Sequence, residues 1–293
     1  MIVLQIVQAF PGLLLAFALR AFLLGILCAL ALWVLRVPNS ALKSAAWRLV
    51  LFAMLTCPLL PYLVPVMQLP RVPATLSHLP RRQIVLSPAQ PRLTAQIPNI
   101  EPRTFPPAQF PRSIEPATKW AATGLAFYLL VTIILIGRIL LGLQLMKRAV
   151  QRMERSDDSY LLERANLQCE RLRLMIFPEF RTGEEVSVPV TFGWRRPTVL
   201  LPAGWRAWAV DKLDFVLAHE FSHIQRGDYP IRVVSAFNKA LYWFHPLAWW
   251  LDRRLAELGE HLSDDAALAV VSPDRALYAK IVTDFASALS RSS

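Results

Sequence analysis

The chain has 293 residues, 55% of them hydrophobic, and a mean hydropathy of +0.38, which is too apolar for an ordinary soluble domain and points to a membrane protein. Its formal charge of +11 sits in the first half: residues 1–147 hold 13 Lys and Arg against Glu101 and Glu115, whereas residues 148–293 hold 19 of each sign. A nucleic-acid-binding protein would carry that excess on its polar domain, so direct nucleic-acid binding is excluded and the headgroups of a lipid bilayer are the expected partner.

Three stretches have the length to cross about 30 Å of hydrocarbon. Leu13–Leu35 is apolar apart from Arg20, whose long side chain can snorkel. Residues 1–19 lack the basic start of a cleaved signal peptide. Leu49–Met67 carries no charge, and Pro58, Pro61 and Pro65 predict a kinked helix. Trp120–Gly137 is apolar and runs past Arg138 to Met146. Between the second and third stretches lies a loop, residues 69–118, with 11 of the chain's 23 prolines. It has too few large apolar residues to build a core and reads as an extended spacer.

Four regions follow: residues 1–68 with helices at 13–35 and 49–67, the proline-rich loop 69–118, a third membrane helix within 119–147, and a polar domain at 148–293. The densest basic flanks are Arg36, Lys43 and Arg48 on one connection, and Lys147, Arg148, Arg152 and Arg155 at the exit of the third helix. The positive-inside rule then places the N-terminus and the loop outside, and residues 148–293 in the cytoplasm of an inner-membrane protein.

Within the polar domain, residues 138–174 read as one helix leaving the membrane. Strands are expected at Leu174–Phe177, Val186–Phe192 and Thr198–Leu201, with turns at Gly183 and Gly193. Val188–Phe192 is the candidate edge strand for an extended substrate. Tyr229–Leu251 is strongly apolar but interrupted by Arg232, Lys239 and Pro246, and reads as a core helix. Cys28, Cys57 and Cys169 are too scattered for a disulfide framework or a thiolate metal site.

The chemistry is concentrated in His219-Glu220-Phe221-Ser222-His223. On a helix over 211–225, His219 and His223 lie one turn apart on one face and can share a metal ion. Glu220, about 100° further round, can reach a water on that metal. Asp211 and Asp214 give the helix an acidic start, and Gly227 a stop. A third ligand must come from Glu257, Glu260 or His261. Glu260 is favoured, because Asp264 four residues on faces the same way and can take the outer N–H of a ligating histidine. Glu257 fits better as a partner of Arg253 or Arg254. Two imidazoles, a carboxylate and an open position suit Zn²⁺. Glu220 then serves as the base of a metal-assisted peptide hydrolysis. Arg253, Arg254, Tyr242 and His245 are all candidates to stabilise the oxyanion.

These residues, with Trp243-Phe244-His245-Pro246, Glu260 to Asp264, Pro189 to Gly193 and Pro197 to Pro202, resemble the BlaR/MecR-type integral-membrane zinc peptidases. The resemblance covers most of residues 12–290. It implies an α-helical membrane protein with three transmembrane helices and a cytoplasmic α+β gluzincin-like metallopeptidase domain. It also implies a regulatory sensor-transducer that cuts a cytoplasmic repressor, or itself. Ser263 stands where the family usually has Cys, at a position that is not a ligand. The β-lactam sensors of that family continue into an extracellular penicillin-binding domain, whereas this sequence ends at Ser293. The alternative is a catalytically idle membrane scaffold with a vestigial zinc site.

Overall fold

The computed structural model describes residues 2–56 and 115–271, together with Thr283. Helix α1 spans Ile2–Val34, α2 Ser40–Thr56 and α3 Glu115–Arg152. Among the described residues, two stretches are long and apolar enough to cross a membrane, Phe10–Val34 and Lys119–Arg152. Leu15, Leu27 and Trp33 on the first, and Leu130, Ile133 and Leu141 on the second, point outward instead of into a core. Helices that expose so much apolar surface are matched to lipid, since water would penalise each such side chain.

The second expected membrane helix is only partly in view. Its helix starts at Ser40, nine residues before the expected Leu49, because Asn39 accepts hydrogen bonds from the backbone N–H groups of Ala41 and Leu42. Residues 57–67, with their three prolines, and all but the last four residues of the 69–118 loop lie outside the described residues.

The expected single helix over 138–174 is broken. After α3 the chain forms a short strand β1 (Glu154–Arg155), and Asp158 then caps a new helix, α4 (Ser159–Leu172), by accepting from the Leu161 N–H at 3.0 Å. Nor is Leu174–Phe177 a strand. Arg173 adopts a left-handed conformation (φ 53°), and the Leu174 N–H closes back onto the Cys169 carbonyl, a helix-ending turn. Met175, Ile176 and Phe177 are left exposed, without a sheet partner, and the strand β2 occupies Glu179–Gly183 instead.

Strands β3 (Val190–Phe192) and β4 (Thr198–Pro202) complete a four-stranded sheet of order β1-β2-β4-β3. The β2–β4 pair is parallel and the others antiparallel, so β3 lies at an edge, in register Thr191 with Val199. Gly193 makes the β3–β4 turn at φ +94°, where a Cβ would stand 2.8 Å from the Arg196 carbonyl oxygen.

A 3-10 turn (Ala203–Ala207) leads into α5, Val210–Arg226, which is stopped by Gly227 in the left-handed region. Helix α6 (Asp228–Leu241) follows at once, then α7 (Pro246–Val271). The core helix expected over Tyr229–Leu251 is therefore two helices. Pro246 lacks the N–H a continuing helix needs and is suited to a helix's first position. The turn between them is seated against α1 and α3. The rings of Trp243 and Phe244 meet Phe127 and Tyr128, the Tyr128 hydroxyl donates to the Leu241 carbonyl, and His245 Nε2 donates to the Ala18 carbonyl. His245 Nδ1 in turn accepts from the Leu247 N–H, so His245 caps α7.

Two apolar clusters hold these layers together. One packs Leu161 and Ala165 of α4 and Phe180, Val199 and Leu201 of the sheet against Leu217 and Phe221 of α5. The other packs Trp47, Leu51 and Met54 of α2 against Leu251, Leu255 and Leu258 of α7. Helix α5 thus has its back in the first cluster and its front turned towards α6 and α7.

Candidate metal centre

Helix periodicity puts His219 and His223 on the front of α5, and α7 crosses that face with Glu260. His219 Nε2 and His223 Nε2 stand 3.2 Å apart, and the Glu260 Oε2 atom is 3.6 Å from the first and 3.9 Å from the second. The three residues form a group able to hold one metal ion. Tetrahedral ligands at zinc distances stand about 3.3–3.4 Å from each other, which is close to this spacing.

The outer ring atoms fix the tautomers. His219 Nδ1 donates to Asp264 Oδ1 at 3.0 Å, and His223 Nδ1 donates to Asp228 Oδ2 at 2.8 Å. Both Nε2 atoms therefore present lone pairs to one point, beside a carboxylate oxygen. Lone pairs that face each other at 3.2 Å repel unless a proton or a cation lies between them, and the donor set is one that zinc accepts. Burial alone would lower the His219 imidazole, but the hydrogen bond to Asp264 and the neighbouring Glu260 carboxylate prevail and raise it to about 9. The adjacent His219 imidazole, reinforced by the charges of His223 and Arg232, holds Glu260 below the usual carboxylate range against the opposing effect of burial. Asp228, although its burial acts the other way, is likewise held low by His223 and Arg226.

Asp228 is not legible as a site residue in the sequence, where it merely follows the glycine that stops the helix. The left-handed turn at Gly227 folds it back beneath His223, as the counterpart of Asp264 beneath His219. Arg226 contacts the same Asp228 oxygen and also donates to the Gly259 carbonyl and to the hydroxyls of Ser222 and Ser263. Arg232 donates to the second oxygen of Glu260 at 2.8 Å. Such partners orient the ligands and keep each buried oxygen satisfied.

Glu220 is buried and accepts a hydrogen bond from the Thr191 hydroxyl at 2.7 Å, so its carboxylate is tied to the edge strand β3. Both line a cavity of about 680 Å³ with the three ligand candidates, and one wall of it comes from Ile139, Leu143 and Met146 of α3. The other residues singled out in the sequence lie elsewhere. Glu257 is exposed and pairs with Arg254 at 3.1 Å, and His261 is exposed, about 100° round α7 from Glu260. None of the four oxyanion candidates reaches the cavity: Tyr242 donates to the Met54 carbonyl, His245 caps α7, Arg254 is engaged with Glu257, and Arg253 is not among the lining residues. Tyr229 and Arg232 line it instead. Both come from the first turns of α6, a placement that depends on the reversal at Gly227.

The chain thus combines membrane-length helices with a side-chain triad able to hold a metal ion. It matches the family profile described as BlaR1 peptidase M56 over residues 15–291, and it belongs to the M56 peptidase family. Its similarity to the Regulatory protein BlaR1 of Bacillus licheniformis is 32% identity over 109 residues, or 37% of this chain. The matched segment spans 18% of that relative's length.

Proposed function

We propose that the chain is a membrane-embedded zinc endopeptidase that hydrolyses a peptide bond in a cytoplasmic regulatory protein, or in itself, as a step in signal transduction. The observation that carries this reading is the convergence of His219, His223 and Glu260 in one cavity with Glu220, beside β3, the edge strand of the sheet among the described residues. When bound by those three residues, zinc would polarise the scissile carbonyl and acidify a water. Glu220 takes the proton of that water during attack and passes it to the leaving amine. The backbone of β3 holds the substrate as an added strand, and Thr191 keeps the Glu220 carboxylate aimed into the cleft. Tyr229 and Arg232, both lining the cavity, each carry an O–H or N–H that can be offered to a developing oxyanion. An idle scaffold would have no use for the proton-transferring carboxylate at position 220, nor for paired outer carboxylates on both histidines.

Metal analysis of the purified full chain tests the ligand set. One zinc per chain is expected, lost in His219→Ala, His223→Ala and Glu260→Ala and kept in Glu257→Ala. If Glu257→Ala alone empties the site, the assignment is wrong. Cleavage of casein or of the chain itself, present only with zinc, tests the activity. A zinc-loaded wild type that cleaves neither favours the scaffold.

The same proposal includes three membrane passes, with the N-terminus outside and the zinc-binding part in the cytoplasm. Reporter fusions after residues 90 and 160 should therefore read opposite sides, the former outside. The same side for both would remove the third pass.

A further inference from the structure

We infer that Arg48, on α2, is a positioning residue for the metal centre: it holds Asp228, and through it His223, in the orientation that binds metal. The inference rests on the zinc site proposed above and extends it to a residue about 180 positions away in the chain. Asp228 has two carboxylate oxygens with different tasks. Oδ2 takes the His223 Nδ1–H at 2.8 Å and an Arg226 N–H at 2.6 Å. Oδ1 takes an Arg48 N–H at 2.6 Å, and the other arm of the same guanidinium donates to the Arg226 carbonyl, at the C-terminal end of α5, at 2.9 Å. The flat fork of Arg48 thus fastens both the carboxylate and the end of the helix that carries His219 and His223. Lysine, with one point charge, cannot span the two acceptors in the same way.

Asp228 is buried, and its partner Arg48 is mostly so. Without Arg48 the carboxylate keeps donors on Oδ2 alone and is able to rotate about its terminal torsion, which carries a broad energy minimum. His223 would then lose its fixed tautomer and ring angle. Arg226 does not make up for this, since it comes from α5 itself and its other contacts lie on α5 and α7. Arg48 alone among these partners brings in a separate helix. That helix is seated firmly: Trp47, Leu51 and Met54 pack on α7, and the Tyr242 hydroxyl holds the Met54 carbonyl at 2.9 Å. The seating of α2 against α7 therefore sets the geometry of His223.

The test uses the full chain in lipid nanodiscs and measures zinc affinity by competition with a chromophoric chelator. The visible spectrum of the cobalt-loaded form reports ligand geometry. Arg48→Met, which keeps the length of the side chain, should lose about 10–100-fold in zinc affinity, the range typical of an outer partner of a ligand, and shift the cobalt bands. Arg48→Lys should fall between Arg48→Met and wild type. Arg48→Met combined with Asp228→Asn should bind no worse than Asp228→Asn alone, because the effect passes through Asp228. A residue with only a structural role would lower the unfolding temperature of the metal-free protein and leave the affinity and spectrum of the folded fraction as in wild type, and that result would overturn the inference. So would additive losses in the double variant. If Arg48→Met does not fold, Arg48→Lys is read by the same criteria, and wild-type affinity with an unshifted spectrum overturns the claim. A wild-type chain that binds no zinc would instead remove the reading beneath it, and the inference with it.

Discussion

Glu220→Gln should leave zinc binding intact and cut peptide hydrolysis by about 10²–10⁴-fold, the share general-base catalysis commonly supplies. The amide has nearly the shape of the carboxylate, and its oxygen can still accept from the Thr191 hydroxyl, so the packing of α5 on β3 should survive. It cannot take a proton from water. Zinc content and turnover of a casein or self-cleavage substrate, measured on the same preparation, check both halves of the expectation. Asp264→Ala should be milder, a loss of about 10–100-fold in affinity or activity, because it acts on His219 from outside. Asp228→Ala should resemble it, since Asp228 does for His223 what Asp264 does for His219. An active Glu220→Gln would end the mechanism, and an Asp264 variant equally inactive with zinc still bound would reassign the proton to another carboxylate.

Phe221→Ala should have the largest effect on stability, about 3–5 kcal/mol for loss of a large aromatic from a packed core. Phe221 is fully buried on the back of α5, with its ring 6.2 Å from that of Phe180 on β2. The truncation leaves a void between α5 and the sheet that neither rigid element can close. Denaturant unfolding of the metal-stripped chain reads the loss directly. The histidines lie on the opposite face of the helix, so zinc affinity in the folded fraction should change little. A stability loss under about 1 kcal/mol would contradict the packing described for this helix, since that is the usual scale of a surface change.

What was legible in the sequence was local and periodic. The spacing of His219 and His223 needs nothing but the helix repeat, and Gly227 announces a stop because glycine enters the left-handed conformation at no steric cost. Pairing of Asp264 with a histidine was readable from its offset of four from Glu260. Asp228 was not, because it reaches His223 only after the chain reverses at Gly227, and no helical or strand period describes that path. Arg48 and Thr191 approach the centre from distant elements, and their parts in it are a matter of tertiary packing alone. The apolar run Leu174–Phe177 misled for the opposite reason. Its composition suits a strand, but the left-handed Arg173 turns it out to the surface before it can pair. Likewise, the long apolar stretch from Tyr229 looked continuous because hydrophobicity does not record where a backbone must bend around neighbouring helices.

The position of β3 at the rim of the sheet bears on which proteins such a cleft would cut. An added strand must arrive as bare backbone, with its N–H and C=O groups unengaged, and a segment locked in a helix or a sheet has none to give. Freeing it costs local unfolding energy in the substrate, whereas a segment that is already loose has yet to lose about 1–2 kcal/mol per residue in backbone freedom. Selection would then be made by mechanical slack more than by side-chain code: the bond that is cut lies in whichever stretch the partner protein holds least tightly, and anything that tightens that stretch also protects it.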